Sequence, residues 1–120
     1  MAALGNSVAI ACGHCVEDRI AAVYDHALLQ RTLASKHEIA FFVWDGPLPH
    51  GDAERRKILA LVEATPVVDK GSTRVSMEPA ALAVAFDPRR SSIENLQAAL
   101  QKSLAKLKLS LTLLQAPKAR

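Results

Sequence analysis

The sequence predicts an α+β domain. Two patterns carry that expectation. In the second half, residues 73–77 and 82–86 alternate as paired strands, residues 93–104 repeat apolar side chains at helical spacing, and residues 107–114 alternate again. In the first half, a short apolar run over 6–11 leads through Cys12-Gly13-His14-Cys15 into another helical pattern. The chain has 120 residues, enough for one core, and is expected to form a single domain over 1–120.

Taken in order, residues 6–11 read as a short buried strand. Residues 16–35 read as one helix, with Val16, Ile20, Val23 and Ala27 on its apolar stripe. Residues 38–44 admit two readings. Their continuous apolar run, Glu-Ile-Ala-Phe-Phe-Val-Trp, suits a buried strand, while Leu29, Leu33, His37 and Phe41 would continue the helix. As a strand the segment sends Phe41 to one face and is buried on both. As a helix it exposes aromatics, and self-association to a homodimer through 38–44 is then expected. Residues 45–51, rich in Gly and Pro, end the segment. Asp52 is the expected N-cap of a helix over 53–64, with Ile58, Leu61 and Val62 inward.

Thr65-Pro66 stops that helix. Glu78-Pro79-Ala80-Ala81 joins the paired strands, and Pro79 is tolerated in a turn that needs no donated N–H. Ser91 and Glu94 have capping-box spacing ahead of Ile93, Leu96, Leu100 and Leu104. Residues 107–114 form the final or edge strand, and 116–120 a frayed tail.

Composition excludes several function classes. Half of the residues are hydrophobic and 22% are charged, an ordinary soluble balance. The net charge of +3 is spread out, and few aromatics lie among the basic residues. The stacking platform of a single-strand nucleic-acid binder is missing, so no nucleic-acid partner is expected. No apolar run reaches the ~18–20 residues of a membrane helix, so no membrane partner is expected. The first residues show no basic segment ahead of an apolar core, so no secretory leader is expected and the cytoplasm is the expected compartment.

Cys12 and Cys15 are the only cysteines. A thiol pair three residues apart, between a strand and the start of a helix, suits a soft metal ion or redox chemistry. The partial positive charge of a helix N-terminus favours thiolate, the form that binds soft metals and attacks disulfides. Two thiolates alone favour Cu(I), with Zn and Hg as other candidates; a structural zinc site normally has four ligands. His14 is a secondary ligand candidate. The bland alternative is a pair of small buried hydrophobes. His26, His37 and His50 read as ordinary surface residues.

Two segments resemble heavy-metal-associated domains, the ferredoxin-like βαββαβ modules of copper chaperones and copper-pumping ATPases. One is Cys12-Gly-His-Cys15 with Val16, Ile20 and Val23 behind it; the other runs from Val75 and Met77 through Leu82, Val84, Phe86, Asp87-Pro88 and Ile93 to Leu100. In this resemblance residues 6–11 are the first strand, and an inserted segment over about 24–64 follows the first helix. Ala9-Ile10-Ala11-Cys12 stands where the family usually has Gly-Met-x-Cys. The resemblance implies a metallochaperone rather than an enzyme. Cys12 and Cys15 would bind the metal and pass it to a donor or acceptor protein with its own thiol pair. It places Lys102 and Lys106 in a loop facing the metal, where they would offset the charge of a bis-thiolate centre. A weaker resemblance is to thioredoxin-like α/β proteins, through Cys-Gly-His-Cys and Thr65-Pro66. It implies a thiol–disulfide oxidoreductase with Cys12 as nucleophile and Cys15 resolving. A structural subunit with incidental cysteines is the third reading.

Overall fold

The computed structural model describes residues 16–115. Two short helices come first, α1 (Val16–Val23) and α2 (His26–Ala34). Then follow β1 (Glu38–Asp45), α3 (Asp52–Glu63), β2 (Arg74–Met77), β3 (Ala80–Phe86), α4 (Ile93–Leu104), a 3-10 turn (Ala105–Leu107) and β4 (Ser110–Gln115). The strands form one sheet in the order β2-β3-β1-β4, and every pairing is antiparallel. From β1 to β4 this is the ferredoxin-like βαββαβ arrangement within an α+β fold.

That topology relocates the first strand. The place beside 82–86 that the resemblance gives to residues 6–11 is taken by β1, whose Phe42 sits opposite Leu82 and whose Glu38 sits opposite Phe86. Residues 6–11 lie outside the described residues. Residues 38–64, expected inside an insertion, are instead the first strand and first crossover helix of the unit. The physical reason is the apolar run itself. A strand buried on both faces needs continuous apolar sequence, and the Gly- and Pro-rich residues after it make the turn into α3. The wholly antiparallel sheet also departs from the thioredoxin-like alternative, in which strand-helix-strand steps build parallel pairs.

β1 settles the ambiguity over 38–44. Ala40, Phe42 and Trp44 alternate into the main core, at 0%, 0% and 2% exposure, while Ile39 and Phe41 face the other side. Both edges of β1 are paired, so the segment is not open for self-association. The main core joins those side chains to Ile58 and Val62 of α3, Leu82, Val84 and Phe86 of β3, and Leu96, Leu100 and Leu104 of α4. On the opposite face, Val23 of α1 packs on Ala81 and Ala83. The sheet is therefore covered on both sides.

The other differences are local. The single helix expected over 16–35 is two, because Asp25 adopts an extended conformation (φ −138°, ψ 107°) and its carboxylate accepts from Leu28 N. An aspartate is a strong N-cap and competes with helix continuation. Gly51, not Asp52, caps α3; Asp52 opens the helix and pairs with Arg55 and Arg56. Ser92, not Ser91, caps α4 by accepting from Asn95 N, while Ser91 is buried with its N–H donated to Asp87 O. The last strand starts at Ser110, because Leu107 closes the 3-10 turn and Lys108 is left-handed at φ 61°.

At Gly46 the chain leaves β1 against the segment entering β4. A Cβ there would stand 2.7 Å from Lys108 O and 2.5 Å from Leu109 Cδ2. The carbonyl belongs to the backbone and cannot swing away. Gly46→Ala should therefore lower stability by about 1–3 kcal/mol in urea unfolding. Phe42→Ala, which empties the centre of the core, should cost about 3–5 kcal/mol in the same assay.

Candidate functional site

Cys12, His14 and Cys15 lie outside the described residues, and Cys15 is followed directly by the first residue of α1. What positions α1 therefore sets where the thiol-bearing segment joins the fold. Arg19 Nη1 donates to Ala80 O at 2.6 Å, and Val23 packs on Ala81 and Ala83. Just beyond, Arg74 Nη2 meets Asp25 Oδ2 at 3.0 Å, and Arg74 is the ladder partner of Ala83. The hydrogen bond from Leu28 N, then the bond from Arg74, hold the Asp25 carboxyl below the usual range. These contacts run α1 along β3 in the same direction. Its N-terminal end thus lies at the β2–β3 hairpin.

The crossover loop from β1 to α3, residues 46–51, lies at this same end of the sheet. His50 Nδ1 is 2.9 Å from Glu78 Oε1 in the hairpin, and the His50 ring meets the Trp44 ring edge-on at 5.7 Å. Trp44 Nε1 donates to Ser76 O at 3.0 Å. In the resemblance, the loop between first strand and first helix carries the thiol pair. Here that loop reads Gly-Pro-Leu-Pro-His-Gly and holds no cysteine. Lys102, in the last turn of α4, and Lys106, in the 3-10 turn, are exposed. The segment that follows them borders Gly46. The residues that follow the two lysines therefore border the crossover loop, whereas the cysteines belong to the segment that precedes α1.

A second cluster occupies the other end of the sheet, and the sequence reading missed it. His37 Nδ1 lies 2.6 Å from Asp69 Oδ2, and its Nε2 lies 3.6 Å from Asp87 Oδ2. His37 directly precedes β1 and Asp87 directly follows β3, so the Glu38–Phe86 ladder pair sets them side by side. A tight turn aims His37: Lys36 is left-handed at φ 63°, Lys36 N donates to Leu33 O and His37 N to Thr32 O. Asp69 is fixed by its own N–H on Ala85 O. Arg89 donates from its side chain and backbone to Asp87, which with the charges of Arg89 and His37 keeps that carboxyl below its usual range. Periodicity cannot reveal such a group, because its members are 32 and 18 positions apart, with His37 and Asp87 flanking strands and Asp69 in the connection between α3 and β2. A cleft of about 150 Å³, lined by Leu28, Thr32, Asp69 and Ser72 among others, opens beside it. Among the described residues no three His, Cys, Asp or Glu side chains converge on one metal position.

No protein-family model matches the chain, and no curated protein matches it. Solved structures do. Oxidized MerP from Ralstonia metallidurans CH34 matches with TM-score 0.51 at 18% identity, over 66% of this chain and 99% of that one. A copper binding domain from HMA7, a P-type ATPase, matches with TM-score 0.51 at 15% identity, over 68% of this chain and 99% of that one. This chain shares its ferredoxin-like fold with both, the fold that the resemblance to heavy-metal-associated domains implied. The unit from β1 to β4 is about two thirds of the chain; α1, α2 and the thiol-bearing segment precede it. Among the described residues no helix is long and apolar enough to cross a membrane.

The connection that presents Asp69 is held by Glu63. Its carboxylate accepts from Gly71 N at 2.7 Å, Thr73 Oγ1 at 2.6 Å and Thr73 N at 3.2 Å, and Lys70 Nζ donates to its backbone carbonyl. Burial pushes the carboxyl up, but the bonds from Gly71 and Thr73 and the Lys70 charge outweigh it and hold the group below its ordinary value. A depressed folded-state value gives stability that is present above the unfolded carboxylate range and lost as pH falls through the folded value. Glu63→Gln should thus be less stable than the wild type at pH 7, with the difference closing below about pH 4. Urea midpoints across that range check it.

Proposed function

We propose that this chain binds a soft metal ion through Cys12 and Cys15, with Cu(I) the preferred cargo, and hands it to a partner protein carrying its own thiol pair. The observation that carries the reading is the docking of α1. The residue after Cys15 opens a helix pinned along β3, with its N-terminal end at the β2–β3 hairpin beside the crossover loop. The residue that follows Cys15 is thus held at a rigid sheet end, and the crossover loop itself carries no cysteine. MerP and the copper binding domain of HMA7 share the fold, and the second binds copper, which supports a metal cargo here.

The chemistry follows from the donors. Two thiolates satisfy a two-coordinate soft ion without further ligands. Release then needs only ligand exchange, in which an incoming thiolate makes a three-coordinate intermediate and one original sulfur leaves. No redox change and no turnover are involved, and the chain acts as a carrier in the cytoplasm. His14, between the two cysteines, is a reserve ligand. Lys102 and Lys106 are assigned to offset the negative charge that a bis-thiolate centre places at this end. Zn and Hg remain chemically suitable cargoes.

Reduced protein should take up one Cu(I) per chain in competition with a chromophoric chelator. Cys12→Ser and Cys15→Ser should each abolish uptake, since a two-coordinate site fails with either sulfur gone. Lys102→Ala with Lys106→Ala should weaken uptake only modestly. Insulin-disulfide reduction by the metal-free protein, with no Cu(I) uptake, would instead make it a thiol–disulfide oxidoreductase.

A further inference from the structure

We propose that the open edge of β2 is a docking site for residues 6–11 of this same chain, which add to it as a fifth, parallel strand. Among the described residues the sheet ends at β2 on one side and at β4 on the other. On the β2 side of β3, Ala85 N–H donates to Ser72 Oγ and Ala85 C=O accepts from Asp69 N. Backbone groups of alternate residues in a strand face the same way. Ala83 and Ala81 therefore face β2 as well, towards their partners Arg74 and Ser76. Thr73, Val75 and Met77 then face outward. The first of these is closed: Glu63 Oε2 accepts from Thr73 N at 3.2 Å, and Arg74 Nη1 donates to Thr73 O at 3.0 Å. Val75 and Met77 present their N–H and C=O groups to a further strand. Their side chains pack on the main core yet are only partly buried, whereas Leu82 and Val84 in the next strand are 0% exposed. The core is open on that flank.

Chain direction selects the occupant. α1 starts on the outer face at the β2–β3 hairpin, and both β2 and β1 run towards that end. Four residues, Cys12 to Cys15, separate residue 11 from Val16, an ordinary length for a strand-to-helix turn. A strand over 6–11 that leads into α1 thus runs parallel to β2 and to β1. Its crossover to β1, through α1 and α2, passes over the outer face. The β1–α3–β2 crossover travels the opposite way across the sheet, over the main core face. Reversing both direction and face preserves the hand. A strand beside β2 therefore gives a crossover of the same hand as β1–α3–β2, and a strand beside β4 gives the opposite hand. Parallel crossovers are almost always right-handed, which selects β2. The side-chain pattern agrees. In β3 the small Ala81 and Ala83 meet α1, while the large Leu82 and Val84 enter the main core. Ser7, Val8, Ala9, Ile10 and Ala11 repeat that alternation of small and large. Placed beside β2, Val8 and Ile10 take the face of Val75 and Met77 and close the open flank, and the small residues take the face under α1. Residues 12–15 become the turn between the fifth strand and α1.

The fifth strand does not depend on the metal cargo, and its test reads no metal uptake. Amide hydrogen exchange of the full, reduced chain is followed residue by residue by NMR. Val75 and Met77 should exchange slowly, as paired amides do. A strand parallel to β2 with Val8 and Ile10 on the core face turns the backbone of Ala9 towards β2. Ala9→Pro should therefore speed exchange at Val75 and Met77 by about tenfold, and Ala3→Pro should leave it unchanged. Cross-linking checks the pairing separately, in the full chain carrying Cys12→Ser, Cys15→Ser and Ser76→Cys. One of Ser7→Cys, Ala9→Cys or Ala11→Cys should oxidise to an intramolecular disulfide, because these positions share the face of Ser76. Val8→Cys and Ile10→Cys, on the opposite face, should not. Fast exchange at Val75 and Met77 in the unsubstituted chain would overturn the proposal. So would a disulfide from Val8→Cys or Ile10→Cys, or one that forms with Thr112→Cys on β4 and not with Ser76→Cys. Protection that grows with protein concentration, together with a dimer in sedimentation, would overturn it by placing a second copy of the chain on the edge.

Discussion

The structure depends on the burial of β3 from every direction. Its backbone is paired on both edges, to β2 and to β1, and residues 81–86 are all buried. The two faces are built differently. Leu82, Val84 and Phe86 fill the space under α3 and α4, while Ala81 and Ala83 present a flat surface that α1 approaches closely. Apolar burial is worth roughly 25 cal/mol per Å², and on the outer face it requires a lid. A sheet with an exposed face would alternate apolar and polar residues. The run Ala-Ala-Leu-Ala-Val-Ala-Phe does not, so the helices that precede the βαββαβ unit are part of its core.

The second half of the chain was legible because its signals are local. Large side chains at 82, 84 and 86, a short proline-containing turn and a serine before an apolar helical stripe describe their elements without reference to anything distant. The first half failed at one point, and the reason is instructive. Cys12-Gly13-His14-Cys15 between an apolar run and a helix invites the assignment of first strand and first helix, and every later element was then counted from there. The apolar run at 38–44 contained the correction, since a strand that reads as continuously apolar has to lie in the middle of a covered sheet. The two-helix break at Asp25 and the cap at Ser92 turn on a choice between neighbouring polar residues, which tertiary contacts such as Asp25 with Arg74 decide.

The candidate sites divide along the same line. Thiol pairs are recognised by type and spacing, so Cys12 and Cys15 stand out in the sequence, whereas which strand opens the βαββαβ unit depends on the topology. His37, Asp69 and Asp87 are each unremarkable in sequence. They meet because a left-handed turn, a loop hydrogen bond and a strand end happen to converge, and that convergence is set by the register of β1 on β3. The two ends of the sheet consequently carry different chemistry: the crossover loop and hairpin beside the start of α1 at one, and an imidazole between carboxylates at the other.

Trp44 gives the first of those ends an optical property. It is the only tryptophan in the chain, it is 2% exposed, and its indole bridges β1 to β2 through Ser76 while the ring of His50 stands against it. Its emission therefore originates from one known place, in a dry environment, beside the crossover loop. Heavy ions and cationic rings quench indole fluorescence at short range. The protein thus contains an intrinsic, label-free reporter of events near the hairpin.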